Sequence, residues 1–193
     1  MARSSKNGKA WTKQRVAELI TQPAQILDIG CGQGTYKNLF LDNEVITSSN
    51  WTAVEVWAPY IKKFALEEKY NQVINHDART LDWANLGCWD LIFMGDVLEH
   101  MTKEESQALV DSALNHTRWI LISIPIVYLP QGADHGNEYE IHVKPDWSDE
   151  EVLTSFPNIV EHHVEGIIGV YLLQGLLLAL ILLPFFPNET ATL

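Results

Sequence analysis

The sequence predicts an α/β protein built on a doubly wound, mostly parallel sheet, and three observations predict it. Short apolar runs with β-branched members recur at 26–29, 51–56, 72–75, 89–94 and 119–125, separated by stretches with helical patterning. The first run empties into a loop with glycines at alternate positions, Gly30, Gly32 and Gly34. Acidic residues then stand at the ends of the following strands, the edge at which open α/β sheets bind ligands.

Taken in order, residues 1–9 are polar and carry Arg3, Lys6 and Lys9, which reads as a flexible arm. Trp11, Val16, Leu19 and Ile20 suit a helix over 10–20 that stops before Pro23. Such a helix either covers a ligand cleft or packs on the sheet, and packing is the simpler expectation. Ile26, Leu27 and Ile29 suit a strand buried on both faces. In the loop that follows, glycine accepts positive φ and lacks a Cβ, so a ligand can approach the main chain. The alternative is a plain glycine-rich turn into a short helix over 35–40.

Beyond a polar connection at 41–50, the second strand ends in Glu55. An acid about 20 residues after a glycine loop can accept from both hydroxyls of a ribose. As a solvated strand-end charge it would be unremarkable. Pro59 opens a helix to about Tyr70, since a proline costs little in the first turn. Asp77, after the third strand, either accepts from an exocyclic amine of a base or caps the next turn.

The fourth strand ends in Gly95-Asp96-Val97-Leu98-Glu99-His100, which places two acids and an imidazole at the ligand edge. His100 can also be a loop histidine with a structural hydrogen bond. Thr102 and Glu105 have capping-box spacing for a helix from Lys103 to about Asn115, and Ser148 with Glu151 repeats it. Between them, 128–145 is a long polar connection containing Gln131, His135, Glu138, Tyr139 and His142, and loops of that length in compact domains tend to be functional. His100, His135, His142 and Glu99 lack the regular spacing of a zinc motif, so no metal site is expected. Two last strands with a turn near Gly166 fill 158–174.

The remaining residues, 175–193, begin with an uncharged, Leu-rich tail. Joined to 167–174 it makes an apolar stretch of about 20 residues, long enough to span a membrane as a helix. Read with 167–173 as a strand, it is too short to span and must pack on the domain, on a partner or at a membrane surface. The strand reading is favoured because the sheet would otherwise lose its last strand and expose an edge.

A chain of 193 residues suits one domain, here 10–174, with no internal repeat. The net charge of −12 argues against unaided binding of a nucleic-acid backbone, so a small or cationic partner is expected. Two cysteines, Cys31 and Cys88, cannot build a disulfide framework, and no signal-peptide pattern opens the chain, which points to a cytoplasmic protein.

The series Leu27-Asp28-Ile29-Gly30-Cys31-Gly32-Gln33-Gly34, Glu55, Asp77, Asp90-Leu91-Ile92 and Asp96-Val97-Leu98-Glu99-His100 resembles a class I S-adenosylmethionine-dependent methyltransferase, from about Ala24 to Gln174. The Leu-Glu-His ending is similar to a branch that includes many small-molecule methyltransferases. The resemblance implies a Rossmann-like, seven-stranded sheet with one antiparallel strand and helices on both faces. It implies that Gly30, Cys31, Gly32 and Gly34 surround the methionine and ribose parts of S-adenosyl-L-methionine, with Asp28 beneath. It further implies Glu55 at the ribose hydroxyls, Asp77 and Ala78 at the adenine, Gly95 and Asp96 beside the methionine moiety, and His100 facing the substrate.

The expected chemistry is in-line methyl transfer to an acceptor, for which the protein supplies orientation and exclusion of water. A hydroxyl or protonated amine would also need a base; His100 is the first candidate and His142 the second. Three rivals remain. A nicotinamide dehydrogenase needs Gly-x-Gly-x-x-Gly, but Thr35 stands where its last glycine belongs. A nucleic-acid amino-methyltransferase would want Asn/Asp-Pro-Pro-aromatic after strand four, where Asp96 is followed by Val97 and Leu98. The third is a cofactor-binding regulatory or binding subunit that has lost turnover, with its apolar tail as a tether for peripheral membrane association.

Overall fold

The computed structural model describes residues 5–177. Seven strands form one sheet: β1 (Gln25–Ile29), β2 (Asn50–Val54), β3 (Gln72–Ile74), β4 (Trp89–Gly95), β5 (Thr117–Pro125), β6 (Ile159–Glu165) and β7 (Ile168–Gln174). Their spatial order is β3-β2-β1-β4-β5-β7-β6. Only β7 runs against its neighbours, pairing antiparallel with both β5 and β6. The order of successive strands switches from one side of β1 to the other at β4, its parallel neighbour, and the carboxyl ends of these two strands open a crevice there.

Alternation along the central strands buries both faces of the sheet. Leu27, Ile29, Ile92 and Met94 point into one apolar layer, where they meet Leu109, Val110 and Ala113 of α7 (Lys103–Leu114) and Val152 of α8 (Asp149–Ser155). Ile26, Leu91 and Phe93 point into the other, against Val16 of α1 (Lys9–Leu19), Tyr36 of α2 (Thr35–Leu39) and Ile46 of α3 (Glu44–Thr47). Each fully buried aliphatic side chain contributes roughly 1.5–3 kcal/mol, which is why these strands read as unbroken apolar runs.

Two helices differ from the sequence expectation. The helix expected from Pro59 to about Tyr70 is broken into α4 (Ala58–Lys63) and α5 (Leu66–Lys69). Ala65 sits between them at φ 49°, and the break turns Leu66 fully into the core. α3 lies inside the polar 41–50 connection, capped by the Asn43 side chain accepting from the Ile46 N–H at 3.1 Å. A short helix α6 (Trp83–Leu86) also precedes β4.

The capping box at α7 is present in both directions: Thr102 Oγ1 accepts from the Glu105 N–H, and Glu105 accepts from the Thr102 N–H at 2.8 Å. At α8 only the Ser148 half forms, because the Glu151 carboxylate pairs with Lys103 and Lys144 instead. Residues 168–174 are strand, as the sequence favoured. Of the tail, Gly175 and Leu176 donate to the carbonyls of Arg118 and Leu114, and 178–193 lie outside the described residues. Among the described residues no helix is long and apolar enough to cross a membrane. The described part of the expected arm is packed: the Gly8 N–H donates to the Glu165 carboxylate at 2.6 Å, and α1 starts at Lys9.

Candidate active site

A cavity of about 280 Å³ opens at the carboxyl ends of β1, β2 and β4 and is roofed by the long loop after β5. Its floor is the glycine loop. Gly30, Gly32 and Gly34 all have positive φ, 65°, 52° and 85°. Gly30 packs tightly, since a Cβ there would lie 2.5 Å from Val97. Gly32 is different: a Cβ on it would meet nothing nearer than the Gly30 carbonyl at 4.0 Å, so its bare backbone borders open cavity.

Glu55 is buried at the end of β2 and spans the loop and the strand end. One oxygen accepts from the Gly32 N–H at 3.2 Å and the other from the Trp57 N–H at 2.9 Å. A carboxylate has about four acceptor sites, so both oxygens retain capacity for further donors from the cavity. Burial raises its pKa, and the backbone donors oppose that rise. Asp28 lies beneath the loop and does not line the cavity. It accepts from the Tyr70 hydroxyl at 2.6 Å, and burial pushes its carboxyl up to about 7. Gly34 likewise stays behind the loop, where it begins α2.

Asp77 and Ala78 line the far side of the cavity. Asp77 caps the turn that follows, accepting from the Arg79 N–H at 3.0 Å, and pairs with the Arg79 guanidinium at 2.6 Å, which holds it below the usual carboxylate range. The turn-cap alternative is thus formed, on a residue that also faces the cavity. Cys31 lines the cavity from the loop, and burial raises its thiol well above the ordinary range.

Gly95 and Asp96 form the wall at the end of β4. A Cβ on Gly95 would stand 1.9 Å from the Tyr36 ring, which stacks on Phe93 at 4.7 Å, so glycine is required for that aromatic packing. Asp96 takes φ 57°, a conformation aspartate tolerates better than most residues, and its N–H donates to the Ser123 carbonyl at 2.7 Å. Its Oδ2 is buried with no hydrogen-bond partner among the described residues. Glu99 is buried too, and its Oε2 is equally unpartnered. Burial, then the nearby Asp96, raises its pKa well above the carboxylate range.

His100 and His142 meet across the cavity wall with ring centroids 5.0 Å apart, although 41 residues separate them in the chain. His100 Nδ1 lies 3.2 Å from the Ile141 carbonyl, and His142 Nδ1 lies 2.5 Å from that of Leu129. Burial, then His142, lowers His100 to about 4, so it is neutral at physiological pH. The loop is braced by the Leu129 N–H to Pro145 at 2.8 Å, by Gln131 Nε2 to the Glu140 carbonyl at 2.7 Å, and by the Lys144 N–H to the Glu99 carbonyl at 3.0 Å. Buried Trp147 anchors its end. Gln131, Tyr139 and His142 line the cavity as the sequence reading of the loop anticipates, whereas His135 and Glu138 do not.

Sequence reasoning passed over several lining residues: Ser5, Tyr36, Tyr60, Asn137 and Glu140. Tyr36 carried the clearest missed signal, an aromatic at the second position of the helix that follows the glycine loop. Lys9 was missed as well; it donates to the hydroxyl of the lining residue Tyr36 at 2.7 Å and so ties the start of α1 to the helix after the glycine loop.

Residues 27–116 match the family model described as a methyltransferase domain. No curated protein matches the chain by sequence. Among solved structures, the chain is similar to the N-terminal domain of EvdMO1 with SAH bound, at 14% identity, TM-score 0.64, and coverage of 89% of this chain and 82% of that one. It is also similar to the PH0226 protein from Pyrococcus horikoshii OT3, at 14% identity, TM-score 0.62, covering 84% and 87%. Magnesium protoporphyrin IX methyltransferase (ChlM) from Synechocystis PCC 6803 with bound SAM gives 14% identity, TM-score 0.56, and coverage of 86% and 78%. At such identities the likeness establishes the shared fold.

Proposed function

From a chain that carries a methyltransferase domain with the class I, S-adenosylmethionine-dependent fold, we propose an enzyme that transfers a methyl group from S-adenosyl-L-methionine to a small-molecule acceptor. The observation that carries this reading is the pairing of an uncovered Gly32 backbone with a buried Glu55 whose two oxygens keep acceptor capacity toward the same cavity. The residues present fit the cofactor. Gly30, Cys31 and Gly32 would cradle its methionine and ribose parts, Glu55 would accept from the ribose hydroxyls, and Asp77 with Ala78 would border the adenine. Gly95 and Asp96 would stand beside the methionine moiety, while Asp28 and Gly34 support the loop from behind. When bound, the cofactor supplies a methyl group on a sulfonium, already joined to a good leaving group.

What the chain adds is placement and dryness. The loop over 128–145 closes the acceptor side, and its Leu129 and Tyr139, which line the cavity, offer apolar surface to the body of an acceptor. A neutral His100 imidazole at the cavity wall can accept a hydrogen bond from an acceptor hydroxyl or amine and take its proton at Nε2, with His142 alongside. The acidic residues Glu55 and Asp96 around the cavity suit a cationic cofactor and disfavour a phosphate backbone as partner.

Calorimetric titration of S-adenosylmethionine and its demethylated product into wild type and Glu55→Ala tests the cofactor half. Affinity unchanged in Glu55→Ala would remove the ribose role. Saturable binding with no methyl transfer to any acceptor in a broad small-molecule screen would leave the binding-subunit reading in its place.

A further inference from the structure

We propose that Glu99, His100 and His142 hold a divalent transition-metal ion on the acceptor wall of the cavity, with free coordination positions turned toward the acceptor. One ligand atom from each of the three lies within 4.8 Å of the other two. All three residues line the cavity, so an ion among them would be reachable from it. Ligand atoms around a bound ion at about 2.0–2.2 Å sit closer together than this, and small side-chain rotations bring them in.

Two independent observations point to a ligand rather than to a chance cluster. The Glu99 side chain is 2% exposed and its Oε2 has no hydrogen-bond partner among the described residues, a costly state that a cation relieves. Both imidazoles, moreover, are oriented by main-chain carbonyls at Nδ1: Ile141 for His100 and Leu129 for His142. A carbonyl can only accept, so each Nδ1 carries the hydrogen and each Nε2 presents a lone pair. Metal-binding histidines are held in this way, with the second ring nitrogen donating to a backbone carbonyl or carboxylate. Asp96 Oδ2, buried and unpartnered on the same wall, offers a further oxygen acceptor nearby.

Two imidazoles and one carboxylate form a borderline nitrogen–oxygen set, suited to zinc, iron(II), cobalt(II) or manganese(II) more than to calcium. Three protein ligands leave the ion open, and the open positions would take an oxygen of the acceptor, such as a hydroxyl or carboxylate. The acceptor consequence rests on the methyltransferase reading; binding of the metal by the chain does not. In the metal-bound state the ion, rather than a free imidazole, would polarise the acceptor oxygen.

The test uses the full chain, stripped with a chelator and titrated with zinc chloride and with cobalt chloride alone, in wild type, Glu99→Gln, His142→Gln and His135→Gln. His135 lies on the same loop outside the cavity and serves as the control. We expect one equivalent bound by wild type and by His135→Gln, with visible cobalt absorption bands. Glu99→Gln and His142→Gln should lose affinity at least about tenfold and lose those bands, at unchanged melting temperature of the metal-free chain. Absent binding in wild type, or binding that His142→Gln and Glu99→Gln both retain, would overturn the site. Titration of the demethylated cofactor on the same samples separates the two ideas: cofactor bound without metal sinks this inference alone, and metal bound without cofactor sinks the methyltransferase reading alone.

Discussion

The two sides of the cavity are built differently. On the proposed cofactor side, Gly30, Gly32 and Glu55 are held by β1 and β2, adjacent parallel strands, and by hydrogen bonds between their ends. On the proposed acceptor side, Glu99 and His100 of one turn meet His142 of a loop that has few regular hydrogen bonds and is tied down by carbonyls and one buried tryptophan. The first is a local backbone device, and the second is an assembly of side chains brought from far apart. Substitutions should therefore separate the sides cleanly, cofactor affinity answering to one and turnover to the other.

The largest separation is expected from the histidines. His100→Ala and His142→Ala should each lower methyl transfer to the best acceptor of a screen by about 10²- to 10⁴-fold, with the cofactor Kd unchanged. A parallel loss of cofactor affinity would merge the two sides.

Beneath the cofactor side, Asp28 predicts a pH effect on stability. Its carboxyl stays protonated up to about 7 in the folded chain, against an ordinary value of 3.8. The folded state thus holds the extra proton between those values, so its stability contribution is full at low pH and lost as pH rises through about 7. The span is roughly 4 kcal/mol. Denaturant melts across this range should show the slope in wild type and a flatter profile in Asp28→Asn, whose amide oxygen can still accept from Tyr70; an unchanged slope would assign the effect elsewhere.

Glu55→Ala should weaken the demethylated cofactor by about 1.5–3 kcal/mol in calorimetry, the range for hydrogen bonds to a charged group. The glycines sharpen the contrast within the wall itself. Gly95→Ala drives a methyl into the Tyr36 ring and should cost about 1–3 kcal/mol of stability in thermal or denaturant melts. Gly32→Ala meets open space and carries only the positive-φ penalty, about 1–2 kcal/mol, yet should reduce cofactor affinity more than Gly95→Ala does. The reverse ranking would mean that the Gly32 backbone does not face the ligand.

These differences parallel what could be read from the residues. The strands were legible because both faces of the sheet are buried, which leaves unbroken apolar runs such as Leu91-Ile92-Phe93-Met94. The capping box at Thr102 was legible because its partners are three residues apart. The break at Ala65 was not, since nothing in Pro59 to Tyr70 signals a left-handed alanine; burial of Leu66 imposes it. Asp77 left two roles open in the sequence, and its Arg79 partner emerged only in the folded turn.

By itself, then, the sequence determined the sheet, its crevice and the glycine loop with Glu55, because those depend on contacts within a strand, a turn or one strand-to-strand step. Only the tertiary structure decided that His142 comes to His100 and Glu99, that Tyr36 obliges residue 95 to be glycine, and that Lys9 reaches Tyr36. Those meetings join residues about 27 to 60 positions apart, and no local periodicity encodes them; they follow from how the loop and helices pack once the sheet has formed.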